Sequence, residues 1–280
     1  MTLTIGLYGA NLRVLAAPSA AAGIARLAED LGYDSLWVGD HVVLPTPRVE
    51  PSPMEPAEPL LDPVVSLGFL AAHTSRIALA AGVVVLPQRN PLVLAKQLAT
   101  VDVLSGGRLV FGAGVGYLEP ELTAIGVPLA RRGARTEEYL AAIQSLWYDE
   151  KPEYHGEFVD FAGVDAHPRP VRRVPVVLGG HSTTGLRRAL RLADGWYGYL
   201  LGLRATKERL AELARLATEV PRETPLHVSI TPSRLLTPEI VADYAELGVD
   251  RLVVAPLPEF SLEQVRDFVE ANAPGRLLSR

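Results

Sequence analysis

The pair Asp40-His41 closes the apolar run Ser35 to Gly39 and sets an acid beside an imidazole where a strand ends. Histidine gives and takes a proton near pH 7 without heavy tuning, which suits redox interconversion of alcohol and carbonyl groups. Consecutive residues leaving a strand face different ways, so both reach one site only where the chain turns. Two readings of the pair stay open: proton transfer at a reaction site, or an aspartate bonding loop amides beside an ordinary turn histidine.

Two glycine motifs could receive a ligand. Gly112-Ala113-Gly114-Val115-Gly116 follows a second apolar run, and glycine at alternate positions lets a backbone approach a planar or phosphorylated group while its amides form an anion nest. It lacks the spacing of a dinucleotide fingerprint, and glycine chosen only for tight rim turns explains it as well. Val177-Leu178-Gly179-Gly180-His181-Ser182-Thr183-Thr184 runs from strand through a double glycine into hydroxyl residues that open an amphipathic helix over Gly185 to Ala193. Free amides, the positive helix end and the hydroxyls together suit a phosphate; Ser182 and Thr183 acting only as caps is the alternative. The six histidines show no metal-binding spacing, and no Gly-x-Ser-x-Gly elbow appears, so metal and triad chemistry are disfavoured.

The elements that must position these residues alternate between strand and helix. Apolar runs at Thr4 to Tyr8, Ser35 to Gly39, Ile77 to Leu86, Leu109 to Gly112, Val174 to Gly179, Gly195 to Leu200, Leu226 to Ile230 and Arg251 to Ala255 read as eight strands. Val83-Val84-Val85-Leu86 is continuous, not alternating, which means a parallel sheet covered on both faces. Ile24, Leu27, Ala28, Leu31 and Leu186, Ala189, Leu190, Ala193 carry helical spacing between strands. The echo of Leu31-Gly32-Tyr33-Asp34-Ser35-Leu36-Trp37-Val38 in Leu247-Gly248-Val249-Asp250-Arg251-Leu252-Val253-Val254 repeats one unit of helix end, glycine cap and strand. These features predict an α/β fold, a single-domain (β/α)8 TIM barrel over 1–280 with an insertion between helix 4 and strand 5, and a site at the C-terminal strand ends. A doubly wound open sheet is the rival.

Leu44 to Pro63 carries seven prolines and can be neither helix nor central strand; it reads either as a substrate-covering loop or as a solvated excursion. Tyr148 to Arg173, with a small hairpin around His155 to Val159, reads as an insertion packed on the barrel edge. With net charge -5 and mixed signs there is no basic face for nucleic acid. The absence of cysteine excludes disulfides, thiolate nucleophiles and Cys-ligated metals, and a cytoplasmic setting fits. No apolar run approaches membrane-span length, and the N-terminus lacks a signal peptide's basic start. Only Lys96, Lys151 and Lys207 are lysines among 27 basic residues, which removes most candidates for Schiff-base chemistry.

In this order the pieces resemble the luciferase-like flavin monooxygenase superfamily and, within it, the branch of oxidoreductases that depend on the deazaflavin coenzyme F420. The resemblance runs from Ile5 to about Trp196 and is strongest over Trp37 to His41, Gly82 to Pro91, Gln97 to Gly116 and Pro175 to Trp196. It implies a barrel holding a flavin-type ring at its mouth, with Asp40 hydrogen-bonding the cofactor and His41 moving the proton that accompanies hydride transfer. It also implies a bulged third strand with a cis peptide at Gly82-Val83 behind the ring, Val85 in the same segment, and Val115, Gly116, Gly179, Gly180, His181 and Ser182 around the cofactor's tail and phosphate. The branch's sugar-phosphate dehydrogenases carry a glutamate where this chain has Tyr117, and their phosphate-binding lysines have no counterpart, so that substrate is not implied. Glu119 and Glu121 lie nearby, where a helix N-terminus explains them as well.

The leading expectation is F420-dependent hydride transfer to or from a small organic substrate. The same fold also suits an FMN-dependent monooxygenase supplied with reduced flavin by a partner reductase, and a third reading is a non-catalytic flavin-binding barrel. Relatives in this family are commonly dimers, which makes a homodimer the expected assembly.

Overall fold

The structure is a computed structural model that describes residues 3–278. Its strands, in chain order, are β1 (Thr4–Tyr8), β2 (Ser35–Val38), β3 (Ala78–Ala81), β4 (Val84–Val85), β5 (Leu109–Gly114), β6 (Tyr154–His155), β7 (Asp160–Phe161), β8 (Val176–Gly179), β9 (Gly195–Leu201), β10 (His227–Pro232) and β11 (Arg251–Val254). The helices are α1 (Pro18–Asp30), α2 (Pro63–Ala71), α3 (Pro91–Ser105), α4 (Glu119–Ala124), α5 (Arg132–Tyr148), α6 (Thr183–Leu192), α7 (Leu203–Ala217), α8 (Pro238–Glu246), α9 (Leu262–Ala271) and α10 (Pro274–Leu277).

Strands β1, β2, β3, β5, β8, β9, β10 and β11 pair in parallel around a closed ring, with Leu79 opposite Leu109 and Ile5 opposite Leu252 completing the circuit. The eight expected strands are all present, as a (β/α)8 barrel and not an open sheet. The third does not run unbroken: β3 ends at Ala81, the Gly82-Val83 peptide is cis, and β4 resumes against Ala113 and Gly114 of β5. The fourth extends to Gly114, so the first glycines of its motif lie within the strand.

Two apolar layers hold the barrel. Between strands and helices, the large outer core takes Ile24 and Ala28 from α1, Leu94 and Leu98 from α3, and Leu186 and Leu190 from α6, all buried as their spacing requires. Inside the ring, Trp37, Ala80, Val110, Val177, Tyr197 and Val253 fill a second cluster. Trp37 stacks on Tyr197 at 4.9 Å between centroids and plugs the lumen. A Cβ on Gly6 would lie 2.9 Å from the Trp37 indole nitrogen, so glycine at that inward position makes room for the plug.

The proline-rich segment forms no helix and no named strand, and it is fastened to the barrel at one end. The buried Asn11 amide nitrogen donates to the carbonyls of Gly39 at 2.9 Å and Leu61 at 2.7 Å, while its oxygen accepts from the Gly39 amide at 2.9 Å. Arg13 adds an ion pair with Glu58. The insertion after α5 is structural: β6 and β7 form the expected hairpin, Arg135 stacks over Phe158 at 4.5 Å, and Glu138 accepts from the Phe158 amide at 2.8 Å.

Candidate functional site

The plugged lumen leaves a shallow mouth at the C-terminal strand ends. Its floor is the Trp37–Tyr197 stack, and above it stand Tyr8 from the end of β1 and Tyr199 from β9, their rings 5.2 Å apart. Gly39 is needed here, because a Cβ would lie 2.7 Å from the Tyr8 hydroxyl. Burial, then the neighbouring Tyr199, Tyr197 and Tyr117, hold the Tyr8 hydroxyl well above the ordinary phenol value, so it stays a neutral donor at any physiological pH. Burial raises Tyr117 and Tyr199 as well.

His41 stands beside this tyrosine row, edge-on to Tyr117 at 5.9 Å. Its Nδ1 lies 2.7 Å from Glu121 Oε2, and the other glutamate oxygen accepts from the Val42 amide at 2.6 Å. The Glu121 side chain is 1% exposed. An ionised carboxylate can only accept, so against one a neutral imidazole carries its proton on Nδ1, and Nε2 has no protein partner among the described residues. The sequence leaves Glu121 open between an acid near the site and a helix N-terminal residue. α4 is anchored by the buried Leu118 and Leu122, and Glu121 falls on that same face, three residues after one and next to the other. An acid on an apolar stripe was the available signal. Glu119 is exposed.

Asp40 is placed differently from what the resemblance implied. Its side chain is fully buried, Oδ1 meets Arg89 Nη2 at 2.7 Å, and Oδ2 accepts from the Val85 amide at 2.9 Å. Burial pushes its carboxyl above the usual aspartate range, against the pull of Arg89 and the Val85 amide. Both oxygens are thus committed within the protein, where they lock the restart of the third strand to the end of β2. Arg89 continues the chain of contacts to Asp62 at 2.9 Å, and Asp62 caps α2. Arg89 and Asn11 carry no motif that marks them in advance.

The glycines divide into two groups. Added Cβ atoms on Gly114 and Gly116 would meet Val83 Cγ2 and Val85 Cγ1 at 2.7 Å, and one on Gly179 would come 3.3 Å from Val83 Cγ1. These positions make room for the bulged third strand, so the side chains of Val83 and Val85 pack against protein. Val115 is half-buried beside them. Gly180 is different: at φ 127° its Cβ would point into open space, with Gly185 Cα the nearest atom at 3.7 Å. That space lies over the start of α6, where Ser182 caps through Gly185 at 3.2 Å and the first-turn amides of Thr183 and Thr184 have no intrahelical acceptor. The Thr183 hydroxyl is taken by Glu212, leaving main-chain amides as the donors. His181 ties the β8 end to β9, its Nε2 accepting from the Tyr199 amide at 3.1 Å; burial, then Arg209, lower its pKa and keep it neutral. Arg209 also donates to the His181 carbonyl at 3.1 Å, which sets a guanidinium beside the same helix start.

Asp40, Gly116 and Gly180 therefore share one rim, at the ends of β2, β5 and β8. None of the three is among the residues that line the hollow nearby. A cavity of about 550 Å³ opens instead beside the ends of β1, β10 and β11, with Tyr8 and Tyr199 as its wall toward the mouth and Pro53 of the proline-rich segment among its lining. Among the described residues no group of three or more acids and histidines could hold a metal, and no helix is long and apolar enough to cross a membrane.

This geometry agrees with the comparisons to known proteins. The family model described as luciferase-like monooxygenase matches residues 5–251. The uncharacterized protein Rv0953c of Mycobacterium tuberculosis (strain ATCC 25618 / H37Rv) is 35% identical over 274 residues, covering 90% of this chain and 92% of that protein. The F420-dependent glucose-6-phosphate dehydrogenase of Kineococcus radiotolerans is 34% identical over 187 residues, 64% of this chain and 52% of that enzyme. Among solved structures, monooxygenase RslO1 from Streptomyces bottropensis superposes with a TM-score of 0.78 at 20% identity, covering 97% of this chain and 98% of that one. An F420-dependent secondary alcohol dehydrogenase in complex with an F420-acetone adduct gives 0.77 at 16% identity, covering 97% and 99%. At these identities the two structures share the fold. With the family model spanning residues 5–251 and a relative 35% identical over nine-tenths of its length, the chain belongs to the luciferase-like monooxygenase family of oxidoreductases.

Proposed function

We propose that this protein is a coenzyme F420-dependent oxidoreductase that moves a hydride to or from a small organic substrate, with His41 handling the accompanying proton. The observation that carries the reading is the His41–Glu121 pair at the barrel mouth. A hydride transfer that interconverts carbonyl and alcohol leaves one proton to place, and a fixed imidazole with a free nitrogen is the side chain suited to it.

The rim fits a flavin-type cofactor with a phosphate. Gly180 leaves a cradle that any side chain would fill, and beside it lie the free amides of Thr183 and Thr184 and the guanidinium of Arg209. When bound, the deazaflavin supplies a ring carbon that gives or takes a hydride. The chain's own residues do the rest. His41 Nε2 takes the hydroxyl proton as an alcohol is oxidised, or returns it to the carbonyl oxygen in reverse, and Glu121 stabilises the imidazolium that forms. Asp40 and Arg89 act behind this, holding the third-strand bulge in register. Tyr8, Tyr117 and Tyr199 supply neutral hydroxyls along the mouth.

The test is fluorescence titration of the purified protein with F420 and with FMN, followed by oxygen uptake with each reduced form. Tight F420 binding, quenching that saturates and no cofactor-coupled oxygen uptake are expected. Preference for FMN with oxygen consumption overturns the reading in favour of a monooxygenase served by a reductase, and binding of neither overturns it altogether.

A further inference from the structure

The 550 Å³ cavity has the size of a small-molecule site, for which about 300–1,000 Å³ is usual. Its lining is mainly aliphatic and aromatic, with Leu12, Leu15, Leu236, Val254, Phe260 and Phe268 among its walls. The charged residues in that lining are both arginines, Arg13 and Arg234, and no carboxylate is among them, in a chain whose net charge is -5. Arg13 is already paired with Glu58. Arg234 is exposed, and among the described residues it makes no side-chain hydrogen bond or ion pair.

The void continues beyond this cavity. A second hollow of about 380 Å³ shares Leu235, Leu236, Phe260, Phe268 and Asn272 with the first and adds Gln264 and Asp267 of α9, so the path runs on between the segment after β10 and helix α9 and meets its one carboxylate only there, in a lining without Arg234. Leu200, Leu235 and Leu257 are exposed around it, large apolar side chains whose cover a ligand would supply. At its other end the cavity reaches Tyr8 and Tyr199 of the tyrosine row at the mouth.

From this lining we infer that the cavity is the substrate site and that the substrate is an amphipathic anion: an extended apolar body with one carboxylate-type group paired to Arg234. The inference rests on the reading of the mouth as the place of reaction, and it adds the class of molecule that reaction acts on. Arg234 is exposed at the edge of these apolar walls, where an unpaired guanidinium adds a modest attraction for an anion to the apolar contact. A neutral body of the same shape gains only the apolar contact. A cation meets two arginines.

Binding is measured by calorimetry on the purified, cofactor-free protein with octanoate, octanol and octylamine as probes. Octanoate should bind about threefold to fivefold more tightly than octanol, the size of an exposed charge pair, and octylamine more weakly than either. Arg234→Gln should erase the preference for octanoate while leaving octanol unchanged. Arg234→Glu, a change at an exposed position, should transfer the preference to octylamine. Leu257→Trp, which fills the void from a loop, should weaken octanoate and octanol together. Equal affinity for octanoate and octanol, or full octanoate affinity in either Arg234→Gln or Leu257→Trp, overturns the inference. Because no cofactor enters the assay, a protein that binds octanoate as described yet ignores F420 refutes the proposed reaction and leaves the cavity assignment standing.

Discussion

Glu121 Oε2 sits 2.7 Å from His41 Nδ1, although the two residues are eighty positions apart in the chain. The contact decides which imidazole nitrogen is free. His41→Ala should lower turnover by roughly 100- to 10,000-fold, the usual size of a general acid/base contribution, with cofactor affinity nearly intact. Glu121→Gln should give a smaller loss, since the amide cannot accept from both His41 and Val42. Nitrogen NMR of the histidine rings gives a readout independent of rate: His41 should carry its neutral proton on Nδ1 in the native protein and on Nε2 in Glu121→Leu. Full turnover in His41→Ala moves the proton-transfer role to another residue, with Tyr117 next.

Asn11 serves the same site from beneath by tying the end of β2 to the proline-rich segment. Asn11→Leu removes three hydrogen bonds and leaves the Gly39 amide without its partner. A loss of about 2–3 kcal/mol is expected in urea unfolding, the cost of stranding buried polar groups. Proteolytic nicking within 44–63 should also become faster. Unchanged cleavage would show that the segment is held by other contacts.

Much of this arrangement was legible because it is written in local pattern. The eight strands show as continuous apolar runs, and the helix after Gly180 shows as a hydroxyl cap followed by an apolar stripe. What stayed hidden depends on distance in sequence. Nothing near Asp40 announces that its oxygens belong to Arg89 and Val85, and nothing near Asn11 points to Leu61. Glu121 was half legible. Its place on the buried face of α4 shows in the spacing from Leu118 and Leu122, but its partner is visible only once the ends of β2 and β5 reach one rim with the bulged third strand between them. The last two glycines of the β5 motif carry a further lesson: their spacing suggests a ligand, and the nearest neighbours of Gly114 and Gly116 are Val83 and Val85.

Glu29 gives the stability a defined pH dependence. Its carboxylate accepts from the amides of Ser75, Arg76 and Ile77, which fixes the entry into β3. Burial pushes its pKa up, and the three amides and the Ser75 hydroxyl outweigh that and bring it to about 2, from an ordinary 4.5. A carboxyl depressed in the folded state contributes stability above its unfolded pKa and loses that contribution as pH falls toward the folded value. Glu29→Gln should therefore be less stable than the native protein at pH 6, by about 1–2 kcal/mol after allowance for solvent screening. The gap should close between pH 4.5 and 2 in urea midpoints measured across that range. A gap independent of pH would mean that the side chain acts through shape and not charge.

The start of α6 separates a binding role from a capping role by the sign of one substitution. Thr184 is exposed, its side chain makes no hydrogen bond among the described residues, and its amide is one of those the helix leaves free. A carboxylate introduced there by Thr184→Asp interacts favourably with the positive helix end and should hold or raise stability, by about 0.3–1 kcal/mol at low salt. The same negative charge lies where a cofactor phosphate would come, and the two repel. If Gly180 and these amides receive the phosphate, F420 affinity should fall about tenfold in Thr184→Asp while the thermal midpoint stays level or rises. A helix start that only caps predicts the rise in stability without the fall in affinity. Fluorescence titration and thermal unfolding of the same variant therefore distinguish the two, and affinity equal to the native protein's would place the phosphate elsewhere on the rim.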